Sequence, residues 1–190
     1  MSHRQSGARN LLIPAVLAAG AAAFFVGRTS RPVGNRRVPQ PAKSVDLQRY
    51  LGLWHELGRY DVGFEHDCEG VTAEYTLRDD GVIQVLNTCR TGSPDGPKRS
   101  AMGKAKTVAG SGNAKLKVAF FGPFYVGNYW VMDHDDDYTW SIVGEPSGKY
   151  LWLLSRDPTP NQGFKAALYQ RARDLGYDTD MIRTTRQPPA

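Results

Sequence analysis

Between residues 54 and 156 the chain alternates apolar and polar positions in short runs, the period-two pattern of half-buried strands. The runs cover 54–62, 70–78, 82–91, 98–108, 113–120, 124–133, 138–144 and 150–156. Turn chemistry separates them: DDG, GSPDGP, GSGN, FGP, HDDD and EPSG, rich in residues that suit tight backbone reversals. The connections are too short for crossover helices, so the pattern predicts eight strands in an antiparallel meander. Closing that meander into a barrel removes its exposed edges. Beyond Pro158 and Pro160 the period changes. Phe164, Ala167, Leu168, Arg171 and Leu175 follow the three-and-four spacing of a helix lying on a surface, and Gly176 ends it. The short piece DTDMIRT that follows is a candidate addition to the sheet. The expected fold is all-β: an eight-stranded antiparallel up-and-down β-barrel with one C-terminal α-helix packed outside.

An eight-stranded barrel has an interior just wide enough for side chains or one small ligand. One end must therefore be plugged. Gly52 lets the chain turn tightly into the first strand, and Trp54 is a flat group large enough to floor the barrel. Arg156, at the end of the last strand, is the expected partner. A guanidinium on an indole face contributes about 0.5–2 kcal/mol and can also bond the backbone it covers.

Upstream of the barrel the composition shifts. Residues 11–27, LLIPAVLAAGAAAFFVG, carry no charge and sit between Arg9 and Arg28. The run is marginal for spanning a bilayer. Two readings fit residues 1–27: a signal peptide with small residues at Ala21–Ala23 for cleavage, or an uncleaved N-terminal membrane anchor. Both imply export, with anchoring in a membrane if the segment is retained. Residues 28–44, rich in Arg, Pro and Gly, read as a flexible linker, which leaves a domain at 45–186.

Charge and cysteines refine this. The 190-residue chain carries a formal net charge of +5, but its excess of bases lies before residue 45. From Val45 on, acids and bases nearly balance, so no nucleic-acid partner is indicated. Cys68 and Cys89 flank the hairpin of GVTAEYTL and VIQVLN. In an exported chain a disulfide is favoured, worth about 3 kcal/mol for a loop of this size. The alternative is two unpaired thiols. A metal site has too few ligands, since no second cysteine pair or histidine pair accompanies them.

Three ordered motifs carry a resemblance: GLW with HELGRY (52–60), DY at Asp137-Tyr138 before a strand, and SRD (155–157) before the helix. Over about residues 45–186 the chain resembles the lipocalin family. VDLQRYLGLWHE, VTAEYTLRDDG, FFGPFY and YLWLLSRDP look closest to the bacterial lipocalins of the outer-membrane lipoprotein type. The resemblance implies a carrier or store for fatty acids or lysophospholipids on the periplasmic side, serving membrane maintenance under stress, as a monomer or homodimer. No nucleophile–base pair or glycine-rich phosphate loop appears, so nothing argues for an enzyme, and no cofactor or metal is expected. Membrane association would come through the N-terminal segment. The lipobox cysteine usual in that group is missing here, the two cysteines being Cys68 and Cys89.

Alternation then assigns faces. If Arg156 meets Trp54 it points inward, and Leu154, Trp152 and Tyr150 share its side. The same parity from Trp54 sends Glu56, Gly58 and Tyr60 inward. Resemblance to retinoid-binding relatives adds Ala73, Tyr75, Ile83, Val85, Leu116, Val118, Phe120, Tyr129, Val131, Trp140 and Ile142. Such a wall, apolar and aromatic with a few hydroxyls, suits an acyl chain whose head group stays at the mouth. On this parity Cys89 points in and Cys68 out, so their bridge needs a bulge. DHDDDY (133–138) offers ligands for a hard cation, but reads better as a solvated turn whose residues fan outward. His55 is expected on the exterior, and Glu56 to be satisfied by a neighbouring hydroxyl or arginine. A second function class stays open: a lipocalin-fold enzyme acting on a lipid or isoprenoid, with Glu56 or His134 as acid or base.

Overall fold

Gly52 opens the first strand at φ +89°, a backbone conformation that suits glycine, and a Cβ placed there would lie 3.5 Å from the Arg156 guanidinium. From this corner the computed structural model, which describes residues 33–37 and 39–189, winds a closed barrel. The hydrophobic segment expected at 1–27 and the start of the expected linker lie outside the described residues. Helix α1 (Leu47–Tyr50) precedes β1 (Gly52–Tyr60), β2 (Cys68–Leu77), β3 (Ile83–Thr91) and β4 (Lys98–Thr107). Then come β5 (Lys115–Ala119), β6 (Gly127–His134), β7 (Trp140–Gly144) and β8 (Leu151–Ser155). Helix α2 (Gln162–Asp174) and the short strand β9 (Ile182–Thr184) complete the chain.

The eight strands pair antiparallel with their sequence neighbours, and β1 pairs with both β2 and β8 to close the barrel. The expected fold is the observed one. Strand β9 joins the sheet on β1, through Gly58–Tyr60. It does so because β1 leaves β2 after His55, where a bulge between Glu56 and Gly58 bends the strand. The C-terminal tail fills the resulting seam. The Thr185 amide donates to Leu57 O at 3.1 Å, and the Gly70 amide to Arg186 O at 2.7 Å. The Gln187 side chain then donates to the carbonyls of Glu56 and Val71.

Two apolar cores result, one on each side of the sheet. The inner core gathers Trp54, Tyr75, Val85, Leu116, Val118, Val131, Val143 and Leu154. The outer core lies under α2 and gathers Leu57, Tyr60, Met132, Ile142, Leu151, Leu153, Leu168, Ala172 and Tyr177. Asn161 caps α2, accepting from the Phe164 amide at 2.9 Å, and Gly176 ends it at φ +93°. Of the expected helix face, Leu168 is buried and Phe164 and Leu175 half-buried, but Ala167 is exposed and Ala172 takes its place. Arg171 instead pairs with Asp133, Nε to Oδ2 at 2.5 Å.

Parts of the expected linker are bonded to the barrel and the segments around it. The Asn35 amide donates to Gly148 O and the Ala42 amide to Met132 O, while Gly34 O accepts from the Asp178 amide.

Candidate functional site

Trp54 is fully buried at the closed end of the barrel, its indole N–H donating to Tyr50 O at 2.8 Å. The Arg156 guanidinium carbon lies 3.8 Å from the centre of the Trp54 ring. Its nitrogens donate to the carbonyls of Arg49, Tyr50, Leu51 and Leu53, at 2.6–3.2 Å. These include the carbonyls that α1 leaves without intrahelical partners at its C-terminal end. Asp46 caps the other end of α1, and its own amide donates to the Tyr138 hydroxyl at 2.7 Å. Tyr138, at φ +57°, lies under the Arg49 guanidinium, so the DY motif holds the plug from the opposite side.

Just inside this floor three phenols form a chain. Tyr50 Oη lies 2.9 Å from Tyr129 Oη and 3.0 Å from Ser141 Oγ, and Tyr75 donates to Tyr129 at 2.8 Å. Burial raises all three pKa values, that of Tyr50 to about 12, so the phenols stay neutral donors and acceptors.

Inside the barrel is a cavity with about 60 Å³ of free space. Its apolar wall is Val71, Ala73, Tyr75, Val85, Ala105, Leu116, Val118, Phe120, Tyr129, Trp152 and Leu154, with Thr72, Asn87 and Asn128 between them. Gly103 keeps one part open, since a Cβ there would come within 2.7 Å of the Phe120 ring. Of the residues the sequence suggested, Ala73, Tyr75, Val85, Leu116, Val118, Phe120, Tyr129 and Trp152 line this cavity. Ile83 and Val131 belong to the same inner core without lining it. Tyr150 is stacked on Trp152, ring centres 5.8 Å apart, and is not among the lining residues.

Tyr60, Trp140 and Ile142 are corrections, because they pack in the outer core against α2. So is Gly58, whose Cβ would meet Ile182 at 2.8 Å. The bulge in β1 adds a residue and reverses the parity after Glu56, so Gly58 and Tyr60 turn outward and Arg59 turns in. In β7, pairing with β8 sets Ile142 opposite Leu153 and Trp140 opposite Ser155, which places Ser141 and Val143 inside.

Charge enters the cavity where β1 leaves β2. Arg59 is fully buried. Its Nη1 donates to Glu56 Oε1 at 2.6 Å and to Thr185 Oγ1 at 2.9 Å. Its Nη2 reaches the carbonyls of Glu65 and Cys68, and its Nε lies 3.5 Å from Glu65 Oε2. The Thr185 hydroxyl donates to Glu56 as well, so arginine and hydroxyl together satisfy that carboxylate. Glu56 and Glu65 both line the cavity. Glu65 accepts from the Trp152 indole at 3.2 Å, and burial, with Glu56 beside it, pushes its carboxyl up to about 8. Sequence reasoning missed Glu65 and Asn87, and also Val71, Thr72, Ala105 and Asn128. Asn87 was within reach, sharing the parity of Val85, whereas a short helical turn at Gly63–Glu65 aims Glu65 and leaves no periodic signal.

Cys68 and Cys89 form a disulfide, their Cα atoms 5.3 Å apart. The irregularity their parity requires is present: the β2–β3 register shifts between Glu69 and Thr72, with Gly70 at φ +54°. The DHDDDY aspartates are taken up by protein partners, with Lys43 lying 4.0 Å from Asp133 as well as beside Asp136. Asp133 meets Arg171, Asp135 receives the amides of Thr139 and Trp140, and Asp136 pairs with Lys43 at 2.8 Å. His134 stacks on Tyr138, and its two ring nitrogens face the carbonyls of Asp135 and Ser44.

The family model described as a lipocalin-like domain matches residues 45–187. The chain belongs to the lipocalin family. This lipocalin is 41% identical over 178 residues to the outer membrane lipoprotein Blc of Escherichia coli, covering 93% of this chain and 98% of that one. It is 41% identical over 149 residues to outer membrane lipoprotein Blc of Vibrio cholerae, with 78% and 86% covered. Insecticyanin of the tobacco hornworm shares the fold, at TM-score 0.63 and 20% identity, with 79% of this chain and 85% of that one covered. The bacterial relatives support an exported location in the cell envelope for this lipocalin.

Proposed function

We propose that this lipocalin is a non-enzymatic carrier or store of a single acyl-chain lipid, a fatty acid or lysophospholipid, in the cell envelope. The observation that carries the reading is the cavity: plugged at one end by Trp54 and Arg156, and walled mainly by apolar and aromatic side chains. Its charged groups collect beside β1, away from the deep apolar wall formed by Val85, Leu116 and Val118. Burying a long acyl chain removes water from a few hundred Å² of apolar surface at about 25 cal/mol per Å², which leaves micromolar affinity or better after ordering costs. The head group stays at the mouth, because burying it unpaired costs several kcal/mol. The role that follows is lipid handling for membrane maintenance under stress.

An enzymatic reading gains no support from the residues considered for it. Glu56 is committed to Arg59 and Thr185, and His134 lies outside the cavity lining with both nitrogens against carbonyls. Native mass spectrometry of protein as purified tests the carrier reading, and an intact fatty acid or lysophospholipid is the expected passenger. Delipidated protein whose melting temperature ignores saturating lysophospholipid would overturn it, since a ligand that binds the folded state must stabilise that state.

A further inference from the structure

Four of the strand connections meet at the open end, because β1 runs away from the plug and each later strand reverses direction. The β5–β6 connection, residues 120–126, is one of them. Phe120 at its root lines the cavity. The rest of the loop turns large apolar groups to water: Phe121 is 49% exposed, Phe124 72% and Val126 57%. Met102, on the neighbouring β4, is 54% exposed. Apolar groups clustered in this way mark an interaction surface.

Charge indicates what covers it. Strands β3, β4 and β5 and the loop itself contain no Asp or Glu. Ala105 is buried inside the barrel, so Lys104 and Lys106 face outward, and both ammonium groups lie over the Tyr125 ring at 5.4 and 4.6 Å. Lys115 and Lys117 continue the same outer wall on β5. The carboxylates of the rim sit on the other connections, Asp61, Glu65 and Asp67 on β1–β2, Asp95 on β3–β4 and Glu145 on β7–β8. A second copy of the chain docked on this face would bring lysines against lysines. An anionic lipid surface instead offers acyl chains to the apolar tip and phosphates to the lysines below it.

We propose that the loop at 121–126 docks the open end of the barrel on an anionic lipid bilayer. Phe121, Phe124 and Val126 enter the interfacial layer, Lys104 and Lys106 pair with lipid phosphates, and the cavity mouth faces the membrane. The lipid-carrier reading is needed for what passes through that mouth, and not for the docking.

The test uses the full chain with Phe124→Cys labelled by NBD, the native cysteines being joined to each other. Labelled protein is mixed with vesicles of phosphatidylcholine, with and without phosphatidylglycerol. NBD emission should rise and shift to the blue, more strongly with phosphatidylglycerol, and the gain should fall in high salt. A label at Asp80→Cys, in the β2–β3 turn of the closed end, should stay in water. Any contribution of residues 1–32 is common to both labels. Reversing Lys104 and Lys106 to Glu should weaken partitioning to phosphatidylglycerol vesicles by ~20-fold or more, about fivefold for each lysine. A label at position 124 that stays in water with both vesicle types overturns the proposal. So does a dimer abolished by Phe124→Ser in protein that never binds vesicles. Uptake of a fluorescent fatty acid in vesicle-free solution separates the two readings. Wild type that docks and takes up none refutes the carrier alone, and wild type that takes it up without docking refutes the docking alone.

Discussion

Arg156 covers Trp54 at 3.8 Å and at the same time bonds carbonyls on both sides of Gly52. One side chain thus joins the last strand, the first strand and the helix that precedes it. Arg156→Ala removes the stacking and uncovers the indole, and should lower stability by about 1–2 kcal/mol. Chemical denaturation measures this directly, and an unchanged midpoint would refute the role.

The disulfide ties β2 to β3 at the open end. Protein purified from an oxidising compartment should show no free thiol until it is reduced, and the Cys68→Ser/Cys89→Ser pair should lose about 3 kcal/mol. Thiol labelling of unreduced, denatured protein would contradict the bridge.

Glu65 gives stability a pH dependence. Its folded pKa, near 8, lies above that of the unfolded chain, so between these values the folded state binds the extra proton. Its contribution is complete below about pH 4 and is lost as pH rises through 8. Replacing it by Gln should therefore flatten the decline in melting temperature from pH 5 to 8, and parallel curves for the two proteins would sink the assignment. A neutral Glu65 below pH 8 also leaves the cavity without repulsion from that carboxyl toward a lipid carboxylate.

The C-terminal tail acts as a wall element. Ending the chain after Met181 removes the strand on Gly58–Tyr60 and deprives Glu56, Arg59 and Gly70 of partners. Faster amide exchange at Gly70 and reduced overall stability are expected. Exchange at Gly70 equal to that of the full chain would show that the seam closes without the tail.

Val118 lies on the deep apolar wall. Val118→Gln should weaken fatty-acid binding at least tenfold while the far-UV circular dichroism stays that of wild type, since the change adds a polar group where an acyl chain runs. Tryptophan emission follows the binding, Trp152 being part of the cavity wall. Undiminished affinity would place the ligand elsewhere.

Local physics made much of this molecule legible in its sequence. Period-two runs and turn residues located all eight strands to within a few residues, and the change to helical spacing located α2. Trp54 and Arg156 could be paired because a barrel needs a plug and few side chains are flat enough to make one. On β2–β5 the inner-wall residues that the family resemblance suggested, from Ala73 to Phe120, do belong to the inner core, and polar residues on the outer face of those strands give the matching alternation. Under α2 that contrast vanishes. Both faces of β7 and β8 are apolar, one filling the barrel and one packing the helix, so Trp140 and Ile142 carried no sign of their side. The bulge at Glu56–Gly58 likewise has no local mark. The seam it opens is filled by the tail, arriving from as far as 131 residues away to bond Glu56 and Leu57 through Gln187 and Thr185, and in this tertiary arrangement Tyr60 turns out while Arg59 and Glu65 meet at the cavity.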